Sequence, residues 1–246
     1  MRRETDLAQL KTLAKTFLHF DIQLTKFSPM IVKHPFTNSG VTGLRDDDGS
    51  IVMADLVGNS EDLAKWQKCV AEQIDETDTP FRLFMMIEKS YALGYLKYAE
   101  PYLSEQDFGQ LLSSAWISNE SPNSDPNISK HRFVRMFKSV APEYLMDAEE
   151  LQQLQELDET VTIYRGVTPY NQKNIKALSW TLDRDKAEWF AHRFGEDGTV
   201  YEAQIDKEHI LALFTGRNEA EIIVDPRQLK EITISEELVQ GPTMTM

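Results

Sequence analysis

Apolar residues recur at helical spacing through most of the first 155 or so positions. Leu10, Leu13, Ala14, Phe17 and Leu18 predict an amphipathic helix over 6–25. Leu63, Trp66, Val70 and Ile74 form one stripe and predict a helix over 61–74. A longer run, 81–102, carries a broad apolar face of Leu83, Met86, Ile87, Tyr91, Tyr95 and Tyr98 and reads as one helix. Further helices are predicted over 104–117, 131–140 and 147–158, with turn-forming residues filling 118–127. The stretch 29–44 is irregular, and Asp-Gly at 48–49 marks a turn before the short apolar run Ile51-Val52-Met53. The period then changes. Thr160-Val161-Thr162-Ile163-Tyr164 is β-branched and aromatic, a strand pattern. Strands over 177–181, 199–205, 210–214, 219–224 and 231–234, with a helix over 185–194, complete the chain. The pattern gives an α+β class: a mostly helical N-terminal region, 1–158, followed by a strand-rich region, 159–246, with no Gly/Ser linker between them.

Composition narrows the functional classes. The formal net charge is −14, with 10 Lys+Arg against 17 Asp+Glu from Leu151 onward and 16 against 23 before it. Neither part is a basic module of the kind that phosphate-backbone binding or an anionic membrane calls for. No stretch approaches 18 consecutive apolar residues, and the first residues lack the apolar core of a signal peptide, so a cytoplasmic protein is expected. Cys69 is the one cysteine; an internal disulfide is excluded, and its helical setting suits a small packing residue. The acidic triplet at 46–48 fails as a calcium loop. With Gly49 at the sixth place, Leu44 would have to be the first ligand. The five histidines have no metal-ligand spacing, so no metal is expected.

Three short segments carry candidate chemistry, and each has an ordinary structural reading alone. Arg165 ends the first strand and shares a face with Val161 and Ile163, so a cation points into the domain and needs an anion. Ser179 and Thr181 put two hydroxyls on one strand face and Trp180 on the other. Asp183 can cap the following helix, whose Ala187, Phe190, Ala191 and Phe194 form a packing stripe. A Gly/Asn turn at 216–218 leads into Glu219 and Glu221, expected on one strand face roughly 6–7 Å apart, with Ala220, Ile222 and Val224 turned to the core. Two carboxylates so placed can divide labour, one holding a sugar hydroxyl and the other receiving a proton.

Taken in order, Tyr164-Arg165-Gly166, Ser179-Trp180-Thr181 and Glu219-Ala220-Glu221 resemble the Arg, Ser-x-Ser/Thr, Glu-x-Glu signature of the ADP-ribosyltransferases, the branch that holds cholera-toxin-like and clostridial toxins and the arginine-specific enzymes. The resemblance spans about 160–234. It implies a split two-sheet β-sandwich with NAD across the cleft, and a catalytic domain over 159–246. It implies that Arg165 grips an NAD phosphate, that Ser179 and Thr181 brace the cleft, and that Tyr164 and Gly166 flank the arginine at the cofactor site. Glu221 would be the catalytic carboxylate on the nicotinamide ribose, facing a solvated cleft, and Glu219 would meet the acceptor. Phe214, Trp180 and Tyr201 are the aromatic candidates for nicotinamide. NAD would be co-substrate, with no metal. A glutamate at the first position goes with a protein arginine as the macromolecular acceptor. Transfer to nucleic acid, NAD hydrolysis by water, and a non-catalytic binding protein keeping the fold stand as alternatives. The resemblance also points to a bacterial or phage effector or toxin, allows a neutralising protein partner, and involves no membrane.

Overall fold

A computed structural model describes residues 4–28, 30–46, 48–216 and 218–235, the side chains of Ser124 and Phe194 excepted. The elements run α1 (Leu7–Leu18), β1 (Gln23–Leu24), β2 (Ile31–His34), β3 (Thr37–Ser39), β4 (Val41–Arg45), β5 (Ile51–Asp55), α2 (Ser60–Glu76), α3 (Pro80–Met85), α4 (Lys89–Ala99), α5 (Glu105–Ser118), α6 (Lys130–Lys138), α7 (Pro142–Leu145), α8 (Ala148–Glu156), β6 (Thr160–Val167), β7 (Ser179–Thr181), α9 (Arg184–His192), β8 (Thr199–Asp206), β9 (Ile210–Phe214), β10 (Glu221–Val224) and β11 (Lys230–Ile234). The class is mixed α and β, with helices dominating the N-terminal part and every strand pairing antiparallel. No helix among the described residues is long and apolar enough to cross a membrane.

The chain forms two compact units, Met1–Ser129 with Ser139–Leu145, and Lys130–Lys138 with Met146–Met246. The strand pattern begins near Glu159, but the second unit also takes in α6 and α8.

In the first unit, α1 buries Leu10, Ala14, Phe17 and Leu18, and Tyr95 of α4 donates its hydroxyl to Leu10 O at 3.0 Å. The helix predicted over 6–25 stops at Leu18, and Gln23–Leu24 pairs with β2 instead. The run 81–102 breaks between α3 and α4, because Glu88 turns extended (ψ 137°) and gives its N–H to Pro35 O at 2.8 Å. The irregular stretch and the apolar run after Gly49 become short strands. β4 and β5 form a hairpin in register from Val41↔Asp55 to Arg45↔Ile51, turned through Gly49 at φ 85°. Asp47 of the acidic triplet lies outside the described residues.

In the second unit six strands make one sheet in the order β11-β8-β6-β7-β10-β9. β6 and β8 pair along their whole length, from Thr160↔Asp206 to Val167↔Thr199. β6 and β7 meet through the pair Tyr164↔Thr181. Where two separate sheets were expected, two three-stranded halves are therefore joined at a pinch. Helix α9 lies on β6, buries Ala187 and Ala191, and is capped by the Asp183 carboxylate, which accepts from Asp185 N and Lys186 N. Gly166 permits that approach: a Cβ there would stand 2.1 Å from Ala187 O and 2.5 Å from Ala191 N. At the other side, buried Asp225 takes a bidentate bond from Arg227 (2.9 and 2.7 Å) and one from Lys138 Nζ at 3.4 Å, which anchors the end of α6. Those donors hold the Asp225 carboxyl down at about 2, the Arg227 bond foremost.

Candidate functional site

The three segments singled out in sequence lie on three adjacent strands, β6, β7 and β10. Thr181 stands opposite both Tyr164 and Glu221, and Ser179 stands opposite Ile223. The short β7 therefore links the arginine strand to the glutamate strand at the pinch of the sheet.

Arg165 follows the face of the buried Val161 and Ile163, as strand periodicity requires. The residue is half-buried. Nη1 donates to Ser179 O at 2.5 Å, while the buried Nε has no hydrogen-bond partner among the described residues. Loss of hydration pushes this cation down to about 10; the Glu221 carboxylate acts to raise it and Arg193 to lower it. It remains a cation at neutral pH, held beside one carboxylate and with donor capacity to spare.

The Thr181 hydroxyl donates to Glu219 O at 2.6 Å and accepts from Asp183 N at 3.0 Å. The Ser-x-Thr segment thus ties the loop before β10 to the cap of α9. The far end of that loop is held by Glu150, a buried carboxylate that accepts from Thr215 N at 2.8 Å. Glu150 also closes a capping box with Asp147 at the start of α8. Sequence reading passed over Glu150 as part of an acidic helix; its Asp-x-x-Glu spacing was the available signal.

Several expectations change. Glu219 and Glu221 do not share a strand face. Asn218 and Ala220 have φ of 55° and 42°, left-handed backbone that ends the alternation, so the strand begins at Glu221 and Glu219 belongs to the loop. All four residues of β10 are buried, Ile223 as fully as Ile222 and Val224, because a strand between β7 and β9 is covered on both faces. Glu221 itself is only 7 % exposed, where a solvated carboxylate was expected. Tyr164 and Gly166 face α9 rather than Arg165; Tyr164 packs on Ala187, Ala191 and Val200. Phe214, opposite Glu221, and Trp180, which spends its indole N–H on Ala177 O at 3.0 Å, are each 2 % exposed and belong to the core. Tyr201, half-buried and opposite Arg165, keeps accessible surface. Arg217, in the turn before Glu219, lies outside the described residues.

Asp206, Glu208 and His209 bring ligand atoms within 4.8 Å of one another. Asp206 is already bonded to Lys230 Nζ at 2.5 Å and Thr160 Oγ1 at 3.2 Å, and Lys230 leads in lowering its pKa. An ammonium already supplies the positive charge that a metal would bring. No family model, curated protein or solved structure matches the chain.

Proposed function

We propose that the second unit is an NAD-dependent mono-ADP-ribosyltransferase. One observation carries this reading: residues matching the arginine, Ser-x-Thr and Glu-x-Glu signature come from three separated segments and meet on neighbouring strands, with Thr181 opposite both Tyr164 and Glu221. The pinch between the two half-sheets suits the split sandwich that such an enzyme needs. The hydroxyl brace from Thr181 to the Glu219 carbonyl, and the Arg165 to Ser179 bond, tie the three segments into one unit.

In this reading Arg165 holds an NAD phosphate, and its unpartnered Nε supplies a donor to it. The bond from ribose C1′ to the pyridinium nitrogen breaks, and its electron pair leaves with nicotinamide, which departs neutral. Positive charge builds on the ribose as an oxocarbenium ion, and the Glu221 carboxylate stabilises it through a ribose hydroxyl. The acceptor nitrogen then forms the new bond to C1′ and gives up a proton, for which Glu219 is the base. Glu219 sits on a loop rather than on the strand, which suits a residue that meets a macromolecular acceptor. A protein arginine is the acceptor proposed, and Tyr201 the aromatic neighbour of nicotinamide.

The test is incubation of the purified protein with NAD labelled in the adenylate moiety and a cell lysate, followed by protease and nuclease digestion. Label in protease-sensitive material with stoichiometric nicotinamide release is expected. Nuclease-sensitive label would move the acceptor to nucleic acid. Nicotinamide without labelled macromolecule would make water the acceptor, and failure of NAD to bind or be cleaved would remove the reading.

A further inference from the structure

We propose that Glu150 of α8 is a positioning residue of the transfer step: it fixes the loop that carries Glu219, and so favours the acceptor over water as the nucleophile. The inference rests on the ADP-ribosyltransferase reading and deepens it with a residue that lies outside all three signature segments.

The loop is the connection between β9 and β10. Phe214 and Glu221 stand opposite each other at its two ends, and Glu221 also stands opposite Thr181, so the ladder holds Glu221 on both sides. Glu219 lies outside that ladder. Beside it, Asn218 and Ala220 adopt left-handed φ of 55° and 42°. Backbone of this kind persists only where its surroundings fix it. At the exit of the loop, Glu219 O accepts from Thr181 Oγ1 at 2.6 Å and Ala220 O from Leu182 N at 3.1 Å. At the entry, Asn218 N donates to Thr215 O at 2.9 Å, and Thr215 N donates to Glu150 Oε1 at 2.8 Å. Glu150 thus ties the entry of the loop to α8, through the residue that Asn218 leans on.

Two features set this bond apart from helix capping. The capping box of α8 uses only Oε2, which accepts from Asp147 N at 3.1 Å; Oε1 is given to Thr215, whose Oγ1 also donates to it at 3.4 Å. The second feature is the place of the bond. β9 is an edge strand, and its outward amides need partners. Leu213 N donates to Met146 Sδ at 3.1 Å, and the next outward amide is that of Thr215. A thioether is a weak acceptor and a carboxylate a strong one. The strong acceptor therefore stands where the ladder ends and the loop begins, and it is buried, away from competing water. The consequence falls on the acceptor step. An acceptor nitrogen has to meet C1′ while Glu219 takes its proton, and a misplacement of about 1 Å in such a contact can cost about 100-fold. Water needs no alignment with the loop. Loosening its entry therefore lowers transfer more than hydrolysis, while Glu221 keeps its place in the ladder.

The experiment uses the full chain and the variants Glu150→Ala, Glu150→Leu, Glu150→Gln and Asp147→Ala. Nicotinamide release in buffer measures hydrolysis. Labelling of dialysed lysate protein, from NAD labelled in the adenylate moiety, measures transfer. Each protein is also melted, and both assays run at a temperature where it is folded. Glu150→Ala should lower transfer at least about tenfold and hydrolysis by less than about threefold. Glu150→Leu fills the volume without an acceptor and should do the same, which keeps the test open if the smaller side chain unfolds the protein. Glu150→Gln retains an oxygen for Thr215 N and should recover most of the transfer. Asp147→Ala removes the cap of α8 and keeps the Glu150 to Thr215 bond, so it should melt lower than the wild type with the ratio of transfer to hydrolysis unchanged. An unaltered ratio in Glu150→Ala or Glu150→Leu, a Glu150→Gln no better than either, or an equal change of ratio in Asp147→Ala would each overturn the proposal. The two readings also separate. NAD cleavage with a ratio indifferent to Glu150, or with no acceptor labelled by the wild type, would remove the role of Glu150 and leave cleavage standing. A wild type that never cleaves NAD would remove the transferase reading itself, and the inference with it.

Discussion

Replacing Glu221 by Gln tests the proposed function most directly, because that reading gives the carboxylate a catalytic task beside its electrostatic effect on Arg165. It is 7 % exposed and acts to raise the pKa of the half-buried Arg165 guanidinium, which donates to the Ser179 carbonyl. Gln keeps the shape and hydrogen-bonding capacity and removes the charge. If the charge stabilises the ribose cation, nicotinamide release should fall at least about 100-fold, equivalent to about 2.7 kcal/mol of barrier. The same change removes the carboxylate's attraction for a half-buried cation. Leaving such a charge less well compensated costs about 1–3 kcal/mol, and the retained carbonyl bond favours the middle of that range. A loss of about 2 kcal/mol lowers the unfolding midpoint by roughly 4–8 °C in a chain of this size. The double variant Glu221→Gln/Arg165→Met removes the stranded cation too, so it should melt above Glu221→Gln while staying inactive. The assays are nicotinamide release at saturating NAD, at a temperature where the variant is folded, and a thermal melt of each protein. Activity near wild type in the folded single variant would refute the catalytic role. A double variant no more stable than the single would refute the electrostatic coupling to Arg165.

Three further outcomes are expected. Glu219→Gln should keep much of the hydrolysis of NAD by water while losing transfer to the acceptor, since Glu219 lies on the loop beyond the strand; nicotinamide release and acceptor labelling measured on one preparation decide it, and equal loss of both would make the glutamates a single unit. Gly166→Ala should destabilise the second unit by about 3 kcal/mol or more, because the new methyl meets the α9 backbone at Ala187 O and Ala191 N rather than a movable side chain; denaturant unfolding measures it, and a change below about 1 kcal/mol would contradict the packing. His34 is buried, accepts from Phe36 N at 3.1 Å through Nδ1, and has its pKa lowered chiefly by burial. Its unfolded value lies near 6.5, so below that pH the unfolded chain takes up a proton that the native ring resists; stability should fall as pH drops from about 6.5 to the lower native value. Urea midpoints at pH 7.5 and 5.0 should show a larger acid loss in wild type than in His34→Gln, and parallel losses would assign the effect to other groups.

Periodicity and capping chemistry were enough to place most elements of the second unit. The strand over 160–164, the helix after Asp183 and the packing face of Ala187 and Ala191 follow from local pattern, since each element is long enough to repeat its period and the helix carries its own cap. The segments carrying Arg165, Ser179 with Thr181, and Glu219 with Glu221 can be singled out from sequence, although their adjacency cannot. That depends on the order β6-β7-β10, set by which strands pair across gaps of tens of residues. Local pattern failed where a distant partner decided the backbone. The run 81–102 breaks at 86–88, where it has neither glycine nor proline, because Glu88 N finds Pro35 O, and the short strands of 23–55 exist through pairing with one another. Alternation misled at Glu219 and Glu221 because two left-handed residues precede a strand that is buried on both sides, and a two-residue period cannot register either fact. Lys138 lies 87 positions before Asp225, and nothing in the intervening sequence links them. They meet only where α6, with Phe133, Val134, Met136 and Phe137 buried, packs into the second unit, a property that exists only once the unit has folded.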